Sequence, residues 1–181
     1  MVLETNLPKL DGLNEIERAE AIRKAFDNDR KQMVLVLARQ LGVRELEVVR
    51  AMPAEMAAEL DAEQWEAVIR SFEALGEVHV VVSNGGATLE CVGNFGKFST
   101  AQGFFNVQTP SLDMHIRIAG LASIFAITKP SHTDGKDALS VQFFDPQGNA
   151  AFKVFLTFGG KDPSAERLAQ YNDIIQRFKV D

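Results

Sequence analysis

The chain has 181 residues, 46% of them apolar and 24% charged, with a net charge of −6. That balance excludes a disordered polymer and suits one globular domain. The negative charge disfavours non-specific nucleic-acid binding, and the single cysteine, Cys91, excludes an internal disulfide.

The opening "MVLETNLPKLDGL" lacks the basic-then-apolar form of a signal peptide. No apolar run is long enough to span a bilayer. A cytoplasmic protein without membrane insertion is expected. "LNEIERAEAIRKAFDNDR" follows as a helix, with Leu13, Ile16, Ala19, Ile22 and Phe26 on one stripe. Asn14 and Glu17 have the spacing of a capping box. "DRKQMVLVLARQLG" predicts a second helix stopped at Gly42, "VRELEVVRAM" a third, and "DAEQWEAVIRSFEALG" a fourth, capped by Asp61 and stopped at Gly76.

At Gly76 the period changes to that of strands. "EVHVVVS" and "ATLECVG" flank "NGG", a hairpin signal. More strands are predicted at "FFNVQ", "LDMHIRI", "SIFAITK", "LSVQFFD" and "AAFKVFL". "DPSAERLAQYNDIIQRFK" closes the chain as a helix, with Asp162 as cap and Pro163 in its first turn. The fold class expected is α+β: N-terminal helices, one large antiparallel sheet in meander order, and a C-terminal helix. Residues 1–31 are read as a helical extension. Residues 32–181 are read as the main domain, with helices over 32–75, the sheet over 76–158 and the closing helix over 162–178.

Alternation assigns faces within strands. Leu112, Met114, Ile116 and Ile118 form one side of "LDMHIRI"; Asp113, His115 and Arg117 form the other. Val78, Val80 and Val82 oppose His79, Val81 and Ser83, and Phe152, Val154 and Leu156 oppose Lys153 and Phe155. The side away from the core thus offers imidazole, guanidinium, ammonium and apolar surface, a lining that suits a flat amphipathic anion. His115 can be a surface residue, a structural residue or a ligand. Cys91, alternating with Ala87 and Leu89, reads as buried, and His132 lies in a polar turn.

No nucleophile, metal or phosphate-loop motif is present; "GNFGKF" and "TFGGKD" read as turns. "ARQLGVRELEVVRAM" has the outline of a helix-turn-helix, with Arg39, Arg44 and Arg50 able to meet phosphates. Glu45 and Glu47 within the would-be recognition helix oppose that use.

Three strings in order, "LGVRELEVVRAMP", "GFFNVQ" followed by "HIRI", and "VQFFDPQGNAAFKVFL", resemble the HutX/ChuX family of cytosolic haem-utilisation proteins over about residues 32–178. The resemblance implies a haem carrier, not an enzyme, which stores haem or delivers it to a haem-degrading or haem-using enzyme. It implies half of the fold of the larger haem-transfer proteins and a homodimer. It places a haem-linked histidine at His115 and makes Arg117, with Lys153 as a weaker candidate, the propionate partner. The family's second haem-linked histidine falls on Ser83, whose hydroxyl is a poor iron ligand. His79 shares that face, but four residues along a strand is about 13 Å, too far to replace it in the same pose. Single-histidine ligation with an open coordination position is therefore expected. Other readings stay open: a haem-degrading enzyme, a regulatory helix-turn-helix module, and a family fold that has lost haem binding.

Overall fold

The computed structural model describes residues 7–158 and 160–180. Residues 1–6, where the expected N-terminal extension begins, lie outside that range. Three helices come first, α1 (Glu15–Asn28), α2 (Val34–Leu41) and α3 (Glu45–Ala51). The capping box is formed: Glu17 N donates to Asn14 Oδ1 at 3.0 Å, and Asn14 N to Glu17 Oε2 at 3.1 Å. α2 ends because Gly42 takes the left-handed conformation, φ +68°, and closes on the carbonyls of Ala38 and Arg39. The expected α1 stripe is only half used. Ile22, Ala25 and Phe26 are buried, while Ile16 is 73% exposed.

Nine strands follow among the described residues, all paired antiparallel. The α+β class, the large sheet and the terminal helix are as expected, but the strands form two sheets. The large one runs β1-β7-β8-β9-β2-β3, from β1 (Ala57–Leu60), β2 (Glu77–Ser83), β3 (Thr88–Asn94), β7 (Ser123–Pro130), β8 (Asp137–Phe144) and β9 (Ala150–Phe155). Its order departs from a plain meander, since β9 pairs with β2. The small sheet is β4 (Phe98–Ala101), β5 (Phe104–Gln108) and β6 (Asp113–Arg117). The fourth predicted helix is shorter than expected: α4 (Trp65–Ser71) is flanked by 3-10 turns at Ala62–Gln64 and Phe72–Leu75. α5 (Ala165–Phe178) is capped by Ser164, whose hydroxyl accepts from Arg167 N at 3.2 Å. The expected cap, Asp162, instead pairs with Lys136 at 2.9 Å.

Two hydrophobic clusters divide the molecule. One lies between the sheets: Val80, Val141, Phe143 and Val154 of the large sheet meet Phe105, Val107 and Ile116 of the small one, closed by α4 and α5. The other lies on the opposite side of the large sheet, where Phe125, Ile127 and Phe144 meet Phe26, Leu37, Val48 and Val49 of the N-terminal helices. The N-terminal helices thus cover the β1-β7-β8 part of the large sheet's second side, and each sheet turns one face outward from the central cluster. Cys91 is half-buried at the rim of the first cluster, and Leu89 beside it is 67% exposed.

Candidate functional site

The small sheet carries His115 on its outer face. Its inner face is anchored by apolar packing. Trp65 stands edge-on to Phe105 at 5.3 Å, Phe98 stacks on Phe105 at 5.5 Å, and the Arg70 guanidinium lies 5.1 Å from the Phe98 ring centre. The turn before β6 is fastened to the large sheet. Ser111 Oγ accepts from Asn94 N at 3.0 Å, and Thr109 Oγ1 donates to Asn94 O at 2.8 Å while accepting from Leu112 N at 3.0 Å. Gly93 is required there: a Cβ at that position would stand 2.9 Å from Ser111 O. The His115 strand is therefore tied to both sheets.

Register places Ser99, Asn106 and His115 in one row across β4, β5 and β6. Asn106 Nδ2 donates to Ser99 Oγ at 3.1 Å, and Asn106 Oδ1 faces His115 Nδ1 at 2.7 Å. An amide oxygen only accepts, so the proton sits on Nδ1 and the neutral ring keeps a bare lone pair on Nε2. Asp113 Oδ1, 3.6 Å from Nε2, cannot donate when ionised. The imidazole side chain is 55% exposed. A fixed tautomer, a bare Nε2 and open access are what a metal-ligating histidine needs. Arg117 lies two residues on, exposed, opposite Phe104 in the register, and without a hydrogen bond or ion pair among the described residues. Phe104 is 39% exposed and adds apolar surface next to the ring. Asn106 and Phe104 were not singled out from the sequence. Alternation of "FFNVQ" puts both on the His115 side, but only the strand register shows that Asn106 meets His115.

The other expected site residues lie elsewhere. His79, Ser83 and Lys153 project from the outer face of the large sheet, on the far side of the central cluster from His115. The sequence read these residues as one amphipathic face; the division into two sheets makes them two. Lys153 pairs with the Glu45 carboxylate, and both side chains are largely buried. It is not brought to His115 within one chain. His79 stacks on Phe158 with ring centres 3.9 Å apart, and its Nε2 lies 3.3 Å from Glu90 Oε2 without a well-formed hydrogen bond. Ser83 is held in the β2–β3 hairpin, its Oγ 3.1 Å from Thr88 Oγ1 and 3.3 Å from Ala87 O.

The helix-turn-helix outline is present, but its second helix is packed inward. Leu46, Val48 and Val49 are buried and Glu45 is 7% exposed. Arg44 donates to Asn149 Oδ1 at 3.2 Å and Arg39 to Gly85 O at 3.1 Å. α3 presents no free reading face of the kind a DNA groove requires. Among the described residues, no helix is long and apolar enough to cross a membrane.

Comparison with known proteins bears on this arrangement. The chain is 28% identical over 146 residues to the intracellular heme transport protein HutX of Vibrio cholerae, covering 80% of this chain and 72% of that one. It is 28% identical over 133 residues to the hemin transport protein HemS of Yersinia enterocolitica, covering 73% of this chain and 38% of HemS. The crystal structure of ChuX superposes with a TM-score of 0.76 at 22% identity, covering 86% of this chain and 96% of ChuX. Holo-PhuS, a heme-binding protein from Pseudomonas aeruginosa, gives 0.71 at 22% identity, and this chain covers 46% of it. At these identities the structural likeness speaks for a shared fold. The model of the haem utilisation ChuX/HutX family matches residues 58–174, well over half of the chain, and the chain belongs to that family.

Proposed function

We propose that this protein binds haem in the cytoplasm as cargo for haem and iron utilisation, with His115 Nε2 as the only iron ligand from the chain. One observation carries the reading: His115 is exposed, and Asn106 holds its Nδ1 so that Nε2 is bare. Neutral imidazole binds haem iron, and a second-row amide that fixes the tautomer strengthens it. Arg117 is the propionate partner, and the half-exposed Phe104 would offer apolar surface to the haem ring. Lys153 has no part in this site within one chain, because it is paired with Glu45 on the other side of the molecule. Ser83 and His79 are likewise outside it, which leaves a coordination position open. An exposed, single-ligand site suits a carrier, itself a homodimer, that gives up its haem to a haem-using or haem-degrading enzyme, and not one that transforms it.

The test is a haemin titration of the full chain, wild type against His115→Ala, followed by the Soret band. A saturable one-to-one shift in the wild type, with a changed coordination spectrum and at least tenfold weaker binding in the variant, supports the reading. No saturable shift in the wild type sinks it. Incubation of the complex with a reductant tests the carrier role: appearance of bilin absorption would show an enzyme instead.

A further inference from the structure

The "NGG" turn joins β2 to β3 at an exposed tip of the large sheet, whereas His115 lies on the small one. Asn84 is the only asparagine of the chain that glycine follows. The turn is closed by Asn84 N, which donates to Ala87 O at 3.2 Å. The Asn84 side chain is held through its oxygen alone. Oδ1 accepts from Gly86 N and from Ala87 N, both at 3.0 Å. Neither Asn84 Nδ2 nor the Gly85 N–H has a hydrogen-bond partner among the described residues. Gly85 has φ +89°, and no side chain shields its nitrogen. The Arg39 guanidinium stands against this residue, its Nη2 donating to Gly85 O at 3.1 Å.

We propose that Asn84 is a self-modification site, at which the folded chain converts its own asparagine to aspartate. The Gly85 nitrogen gives its proton to hydroxide and attacks Asn84 Cγ, closing a five-membered imide. The Cγ–Nδ2 bond breaks, and the nitrogen leaves as ammonia, taking one proton from water. A water molecule then adds to Cγ and breaks its bond to the Gly85 nitrogen, which regains a proton. A carboxylate is left at position 84 with the peptide bond intact. Addition at the Asn84 backbone carbonyl carbon gives isoaspartate instead. Each step has a matching feature in the turn. The nucleophile is unbonded, and so is the amide nitrogen that leaves. The oxygen on which negative charge develops already faces two backbone donors, the arrangement of an oxyanion hole. Arg39 favours both the deprotonated nitrogen and that oxyanion. The aspartate product suits the same turn, since its carboxylate accepts from the same two N–H groups with a full charge. The reaction thus adds a negative charge beside Arg39 and leaves the hairpin standing.

A rigid turn that only kept Cγ away from the Gly85 nitrogen would slow this reaction, so the rate in the folded chain against the unfolded chain decides. The full chain is aged at mildly alkaline pH, folded and in denaturing urea, and peptide mapping by mass spectrometry follows every asparagine. Asn84 is expected to be converted ahead of all the others, and about tenfold faster folded than unfolded, less than a complete oxyanion hole contributes in an enzyme. Arg39→Gln should slow the folded chain several-fold and leave the unfolded rate unchanged, and Arg39→Lys should restore most of the loss. Conversion that is equal or faster in urea overturns the proposal. So does earlier conversion of another asparagine in the folded chain, or a folded rate that Arg39→Gln does not change.

Discussion

Asn106 Oδ1 and His115 Nδ1 face each other across β5 and β6 at 2.7 Å, and this contact decides which ring nitrogen meets a ligand. Asn106 is itself 8% exposed and fixed from behind by Ser99, so it cannot turn away without losing both bonds. Asn106→Ala frees the ring. Nitrogen-15 NMR at a pH where the ring is neutral should show an Nδ1–H tautomer in the wild type and a mixture in the variant. Haemin affinity should fall about tenfold, the usual cost of losing a group that orients a metal ligand. An unchanged tautomer would mean that Asn106 does not hold the ring.

Arg117 is exposed, so its contribution should be electrostatic and screened. Arg117→Ala should weaken haemin binding by a few-fold at low salt, and less at 0.5 M salt. The dimethyl ester of haemin, which lacks the propionate charges, should bind wild type and variant alike. Equal loss with haemin and the ester would assign Arg117 a packing role.

Lys153 and Glu45 form an ion pair whose side chains are 15% and 8% exposed. Removing one partner strands a charge in a poorly solvated place. Lys153→Met or Glu45→Gln alone should cost about 3 kcal/mol in urea unfolding, while Lys153→Met with Glu45→Leu should recover most of it. Haemin affinity should not follow these losses, because the pair lies on the face opposite His115.

Lys129 gives a pH-dependent prediction. Burial lowers its ammonium from 10.5 to about 8. Between these values the unfolded chain holds a proton that the folded chain has released, so stability rises with pH across that window. Below pH 8 both states are charged, and the folded state carries the full desolvation cost, up to about 3 kcal/mol. Lys129→Met should therefore be more stable than wild type at pH 7, with the gap closing toward pH 10.5. A gap that widens with pH would contradict the burial effect.

Much of this molecule could be read in its sequence, because local chemistry specifies it. The capping box of Asn14, the Gly42 stop and the "NGG" turn, where Asn84 Oδ1 accepts from Gly86 N and Ala87 N, all act within a few residues. β1 could not be read, since "AAEL" favours a helix and becomes a strand only by pairing with β7. Nor could the short β4, which exists as an edge of the small sheet. Alternation assigned every site residue to a side of its own strand, and those assignments hold for His115, Arg117, His79, Ser83 and Lys153. It could not say that two sheets carry them, because that depends on pairings between residues far apart in the chain. Asn106 was hidden for the same reason: its role depends on register with β6.

The contact between Gly93 and Ser111 makes the two sheets one mechanical part. A methyl group at 93 has 2.9 Å to a backbone oxygen and no flexible neighbour to push aside, so the turn before β6 must yield. Gly93→Ala would then act as a lever, tilting the His115 strand while leaving its own chemistry intact. Haemin titration of Gly93→Ala would read that tilt, from a position on the other sheet from His115.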